Sequence, residues 1–209
     1  MCITVAIATQ TNGEVTGIVL AAGAGTRAGG PKALRRLPSG ESWLSVACTA
    51  LIEGGCSRVV VVLGARGRLA RTLVPEGAEI VVAPNWHLGM SESLRAGLAA
   101  AAGDAALVTL VDLPTLPVSV VRRVLAGEGE LRQAAFDGTP GHPVYLSAQH
   151  WIPAAASLGG DTGARRYLAS HGVREIECSD LWDGADVDVR TSTAQPKQRR
   201  GLARPPRTP

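Results

Sequence analysis

Residues 18–34 read Ile-Val-Leu-Ala-Ala-Gly-Ala-Gly-Thr-Arg-Ala-Gly-Gly-Pro-Lys-Ala-Leu, an apolar strand pattern that runs into Gly23, Gly25, Gly29 and Gly30 and closes on Lys32. Glycine admits positive φ and lets backbone N–H groups approach a ligand that a Cβ would push away, so such a loop can present donors to an anion. Arg27 and Lys32 supply the cations that several phosphate oxygens require, because backbone dipoles only partly offset multiple negative charges. A lone glycine pair would read as a flexible surface turn; the upstream strand and the two interleaved cations argue for a phosphate site instead. Asp112 belongs with this loop. It follows the run Ala-Leu-Val-Thr-Leu-Val at 106–111 and precedes Leu113-Pro114, which sets a carboxylate at a strand end, where open parallel sheets bind ligands. A carboxylate facing a phosphate cradle repels its ligand unless a divalent cation lies between, and Mg2+ accepts one or two carboxylates plus phosphate oxygens. The competing reading is an acid that merely caps a helix or turn.

The same glycines permit a dinucleotide reading. Gly23-Ala24-Gly25-Thr26-Arg27-Ala28 satisfies G-x-G-x-x-G/A directly after a strand. That fingerprint needs a helix starting inside the glycines and an acid about 20 residues on to hold a ribose. Gly29, Gly30 and Pro31 would sit in the first turns of such a helix, and the next strand pattern, 59–63, ends in Gly64-Ala65-Arg66 with no acid. Arg66 could serve a 2′-phosphate, so NADH or NADPH is weakened as a ligand but stays open.

Further candidates lie in the second half. Gly141-His142-Pro143 reads as a tight turn that presents an imidazole ahead of a strand, to bind substrate, stabilise charge or hold a backbone carbonyl. Asp161, in Gly160-Asp161-Thr162-Gly163, reads first as a helix cap and second as a ligand contact. Asp186 and Asp188 would share one face of an extended segment and could complete a metal site begun by Asp112, or stand as a solvated acidic pair. Cys2, Cys48, Cys56 and Cys178 show no C-x-x-C spacing and no grouped His, so reduced packing cysteines are expected rather than zinc or a disulfide framework.

The elements that must position these groups alternate. Strand patterns at 17–22, 59–63, 79–83 and 106–111 are apolar on consecutive positions, as strands covered on both faces should be. Helical patterns at 43–53, 68–73, 91–102 and 118–125 lie between and after them. The predicted fold is therefore α/β, a three-layer, mostly parallel sheet with helices on both faces. After Gly127 the pattern loosens into strands at 133–136, 144–146 and 174–178 and a helix near 161–170, a portion expected to cover the ligand crevice. With 209 residues, 45% hydrophobic but only 3% aromatic, the chain can bury one core built from Ala, Val and Leu. Residues 1–15 read as an N-terminal extension, 16–190 as one domain and 191–209 as a disordered tail. The net charge of +3 is concentrated there: residues 196–209 hold five cations and no anion, leaving 16 basic against 18 acidic residues in the body. Such a tail is a solvated default, with nucleic acid not expected as partner. No apolar run approaches a membrane span and no secretory signal is visible, so a cytoplasmic location and no membrane partner are expected.

Six blocks taken together resemble the MobA-like NTP transferases. They are Leu-Ala-Ala-Gly-x-Gly-x-Arg-x-Gly-Gly-Pro-Lys at 20–32, Gly-Met-Ser-Glu-Ser-Leu-Arg-Ala-Gly-Leu at 89–98, Val-Asp-Leu-Pro at 111–114, Gly-His-Pro-Val at 141–144, Gly-Asp-x-Gly-Ala-Arg at 160–165 and Asp-Val-Asp at 186–188. The opening looks most like the molybdenum cofactor cytidylyltransferase branch. The resemblance implies a nucleotide-diphospho-sugar transferase-like Rossmann variant that moves CMP or GMP from CTP or GTP to a phosphorylated acceptor such as molybdopterin, releasing pyrophosphate. It also implies a molybdoenzyme maturation partner. By that likeness Leu20, Ala21, Ala22, Gly23, Gly25 and Gly30, with Arg27 and Lys32, would hold the nucleotide, and the Asn85 to Ser93 loop, with Asn85, Ser91 and Ser93 as contacts, would read the base. Asp112, with Asp186 or Asp188, would bind Mg2+, and His142 and Asp161 would line the acceptor site. Glu92 departs from the small residue usual there and would put an anion near the nucleotide unless it points away. The chain is also similar to members described as NAD(P)H-dependent nicotine blue oxidoreductases, which implies, as the alternative, reduction of a quinone-like pigment.

Overall fold

The structure is a computed structural model that describes residues 13–160 and 163–186; the side chain of Arg27 lies outside that description, as does the tail expected at 191–209. Seven strands form one sheet: β1 (Val15–Ala21), β2 (Arg58–Leu63), β3 (Glu79–Val82), β4 (Ala105–Leu110), β5 (Leu131–Phe136), β6 (Thr139–Ser147) and β7 (Arg174–Glu177), in the order β3-β2-β1-β4-β6-β5-β7. β1 pairs in parallel with β2 and β4, β2 with β3, and β5 with β7, whereas β6 runs antiparallel to β4 and β5. The sheet is thus mostly parallel, as its unbroken apolar strands require.

Side chains alternate across the sheet, and each strand feeds two cores. From β1, Val19 and Ala21 join a cluster under α1 (Trp43–Gly54) and α4 (Val118–Ala126), while Ile18 and Leu20 join one under α3 (Met90–Ala100), α5 (Trp151–Ser157) and α6 (Arg165–Ser170). Both faces are covered, which gives the three layers. The short α2 (Gly67–Ala70) follows β2. Ser42 caps α1 by accepting the Ser45 N–H, and Gly55, at φ 120°, ends it with its N–H on the last carbonyls. Cys48, Cys56 and Cys178 are buried thiols without a disulfide partner; burial pushes Cys48 and Cys56 up to about 12.

The second half departs from the sequence expectation. Gly141-His142-Pro143 is not a turn. It lies inside β6, opposite an irregularity between Gln133 and Ala135 that accommodates it. The hairpin turn is Asp137-Gly138, both with positive φ (49° and 72°), the geometry an Asp-Gly pair favours between two strands. α5 was not foreseen, and α6 starts at Arg165 with Ala164 as its cap; Asp161, expected to cap a helix here, lies outside the described residues. Among the described residues no helix is long and apolar enough to cross a membrane.

Candidate active site

The carboxyl ends of β1, β2 and β4 converge. Ala65 N–H donates to the Ala22 carbonyl at 2.9 Å and Val111 N–H to the Leu20 carbonyl at 3.1 Å, so the chain leaving each strand stays in register with its neighbour for one residue more. Gly64 is required here: a Cβ would stand 2.6 Å from Trp86 and 2.7 Å from the Ala22 carbonyl oxygen. The ends of β1 and β4 open onto a cleft of about 400 Å³.

The glycine loop forms one wall. Gly25 is left-handed at φ 59°, and its carbonyl accepts from both Ala28 (2.9 Å) and Gly30 (3.0 Å). A Cβ on Gly25 would lie 2.0 Å from the Gly30 oxygen, so the loop curls back on itself only with glycine there. Two of its amides, those of Ala28 and Gly30, are thus turned inward, and residues 23–26 are the part that lines the cleft. Single 3-10 turns at Thr26–Ala28 and Lys32–Leu34 follow; the first long helix, α1, begins only at Trp43. The helix that a dinucleotide fingerprint needs directly behind its glycines is not formed there.

Across the cleft Lys32 meets Asp112. Lys32 Nζ donates to Asp112 Oδ2 at 2.9 Å, and both side chains are about four-fifths buried (19% and 20% exposed). The other oxygen, Asp112 Oδ1, is sealed from solvent with no hydrogen-bond partner. An unpartnered buried carboxylate oxygen is costly in a protein interior. It is also what a hard divalent cation takes as a ligand. The residues at β4's end therefore fit such an ion.

Leu20, Ala21, Ala22, Gly23, Gly25, Lys32, Ser93 and Asp112 line the cleft together, as the sequence pattern grouped them. Gly30, Asn85 and Ser91 do not. Gly30 is held on the Gly25 carbonyl, Asn85 is exposed at the start of a 3-10 turn, and Ser91 is buried with its N–H on the Gly160 carbonyl. Trp86, His87 and Met90, inside the 85–93 loop expected to read the base but not named individually, line the cleft beside the start of α3. The signal was a rare aromatic directly after a strand end, since an indole face there can stack on a flat ring. Glu92 is taken up by Arg95, whose guanidinium also donates to the Ala155 and Leu158 carbonyls, and so does not oppose an anion in the cleft.

His142 lies in a second, smaller cavity. Enclosure by protein pulls its pKa down from 6.5 to about 4, and the opposing pull of the Asp112 charge does not offset this. The imidazole is neutral at pH 7. Asp186 is exposed and does not line the cleft, while Asp161 and Asp188 lie outside the described residues; among the described residues no three His, Cys, Asp or Glu side chains are grouped to hold a metal.

A nucleotide-sized cleft at the crossover of a mostly parallel sheet, with a glycine loop facing a buried carboxylate, defines a protein of the nucleotidyltransferase type. The chain belongs to the MobA-like NTP transferase domain family, whose pattern matches residues 17–176. A nicotine blue oxidoreductase from Paenarthrobacter nicotinovorans is 41% identical over 191 residues, covering 84% of this chain and 92% of that one. A molybdenum cofactor cytidylyltransferase from Escherichia coli (strain K12) is 28% identical over 96 residues, 44% of this chain and half of that one. Among solved structures, Rv0371C in complex with manganese, from Mycobacterium tuberculosis H37Rv, superposes with a TM-score of 0.67 at 26% identity, over 84% of this chain and 92% of that chain.

Proposed function

We propose that the protein transfers a nucleoside monophosphate from CTP or GTP to a phosphorylated acceptor such as molybdopterin, with release of pyrophosphate. The observation that carries this is the Lys32–Asp112 pair, with Asp112 Oδ1 buried and unpartnered opposite the glycine loop. In this reading amides of 23–26 and the Lys32 ammonium hold the triphosphate, and Trp86 stacks on the base. Asp112 holds a divalent ion, Mg2+ or Mn2+, which when bound neutralises charge at the α-phosphate; the manganese complex of the mycobacterial relative supports that choice. The acceptor phosphate is already an oxyanion, so the chain needs no general base, and catalysis rests on positioning and charge neutralisation. The neutral His142 is consistent with this, since it adds no competing positive charge. The domain boundaries 16–190 and a cytoplasmic location belong to the same reading.

The test is pyrophosphate release from each NTP with Mg2+ and molybdopterin. Asp112→Asn should lower the rate roughly 10²–10³-fold. No release with any NTP would refute the transferase reading.

The 41% identity to a nicotine blue oxidoreductase over nearly the whole of both chains favours a second reading. Here the cleft takes NADPH or NADH and passes a hydride to a quinone-like pigment, with Arg66, at the end of β2, beside a 2′-phosphate. Oxidation of NADPH by a quinone acceptor, undiminished by chelation of divalent ions and by Asp112→Asn, would decide for it.

A further inference from the structure

The cations of the folded part are not spread evenly. Residues 27–36 and 66–71 hold seven of its 16 Lys and Arg side chains and no Asp or Glu. The two stretches meet beside the cleft. Ala33 and Ala70 are buried in one core cluster, and α2 packs against the turn Lys32–Leu34. Ala65, the residue before Arg66, donates its N–H to the carbonyl of Ala22, which lines the cleft. Elsewhere the surface arginines have acids at hand: Arg58 pairs with Glu79, Arg123 with Asp180 and Arg174 with Glu128. Arg66, Arg68 and Arg71 are exposed and make no ion pair among the described residues. Arg66 carries a second, independent mark. Its backbone is left-handed, φ 51° and ψ 30°, where glycine would sit without strain. The other non-glycine residue at positive φ among those described is Asp137, in the Asp-Gly hairpin that suits it. No cap hydrogen bond from the Arg66 side chain offsets the strain, so a cation is kept at this turn against its local preference.

We propose that Arg66, Arg68 and Arg71 form a cationic rim that draws the phosphates of a nucleotide to the cleft, acting on its approach and not on the bound state. This role rests on the reading of the cleft as a nucleotide site, and it is the same for CTP, GTP and NADPH. Charges of one sign beside a cleft raise the local concentration of a polyanion and its rate of entry. Inside the cleft the Lys32 ammonium stands 2.9 Å from the Asp112 carboxylate. Seen from a distance that pair is a dipole, so it adds little long-range attraction, and the unpaired rim supplies it.

The experiment is stopped-flow binding of mant-CTP, mant-GTP and NADPH to the full chain, read by energy transfer from tryptophan, since Trp86 lines the cleft. The tail's cations are present in every variant and cancel. Arg68→Gln/Arg71→Gln should slow association about tenfold at about 20 mM salt. The difference should vanish at about 0.5 M salt, where charges are screened within about 4 Å. Dissociation should stay within about twofold throughout. Arg122→Gln/Arg174→Gln removes the same charge away from the cleft, where Arg122 donates to the Glu53 carbonyl near the end of α1 and Arg174 opens β7; it should leave association unchanged. Arg66→Gly should slow association and at the same time raise the urea midpoint, because glycine takes this turn without strain. The proposal is overturned if Arg68→Gln/Arg71→Gln associates like the wild type at low salt, if the loss lies in dissociation, or if the distant pair slows entry equally. If no nucleotide binds the wild-type chain, the nucleotide reading falls, and the rim is tested with inorganic triphosphate by calorimetry. Its affinity should drop about tenfold in Arg68→Gln/Arg71→Gln at about 20 mM salt; no binding, or no drop, overturns the rim as well.

Discussion

His142 ties fold stability to pH in a way that can be measured against its own variant. The unfolded chain protonates this imidazole near 6.5, the folded one only near about 4. The folded state therefore binds the proton less well, and its stability falls as pH drops through that window. The sign follows from the depressed value: this contribution is fully present above 6.5, shrinks as pH falls, and is gone below about 4. The gap of some 2.5 pH units, at 1.36 kcal/mol each, amounts to about 3 kcal/mol. For a domain of ordinary stability that is a large share of the total.

The assay is urea unfolding, followed by tryptophan fluorescence, of the wild-type chain and His142→Gln at steps from about pH 7 to about pH 4. Carboxylates titrate in both proteins and cancel in the difference. The wild-type chain should lose about 3 kcal/mol more than the variant over that range, with most of the divergence below pH 6. Asp112→Asn removes a charge that favours protonation of His142, so it should push the imidazole lower still and widen the window. Parallel curves for wild type and His142→Gln would refute the reasoning, because they would mean that the folded and unfolded chains hold this proton equally well.

Three other perturbations probe the same architecture. Lys32→Met leaves the Asp112 carboxylate without the ammonium now 2.9 Å away and should cost about 1–3 kcal/mol in denaturant unfolding, part of it recovered when Mn2+ is added. Gly25→Ala forces a Cβ into the Gly30 carbonyl at a left-handed φ, so the loop must open, and calorimetry should show NTP affinity reduced at least tenfold. Cys48, Cys56 and Cys178 are three of the four thiols, all buried, and the first two ionise only near about 12. Native protein at pH 8 should therefore release at most one equivalent rapidly with a thiol reagent, and the remainder only on unfolding.

The half of the molecule that builds the cleft was legible because its signals are local and agree with one another. β1, β2 and β4 are buried on both faces, so their apolar runs are continuous, and a parallel sheet then dictates that Gly23 and Asp112 meet at its carboxyl end. The Lys32–Asp112 contact itself is not local. It joins residues 80 positions apart and became visible only through the parallel pairing of β1 with β4. The second half misled for a different physical reason. Gly141 and Pro143 are turn formers by propensity, but β6 is long enough, and β5 irregular enough between Gln133 and Ala135, to carry them inside a strand. The true turn was written in Asp137-Gly138, a stronger hairpin signal than the one followed. That shift matters for function. A His142 on a turn would be a solvated, readily protonated group, whereas inside β6 it becomes a neutral wall of an apolar cavity. The chemistry open to the second cavity is thus decided by where one hairpin reverses.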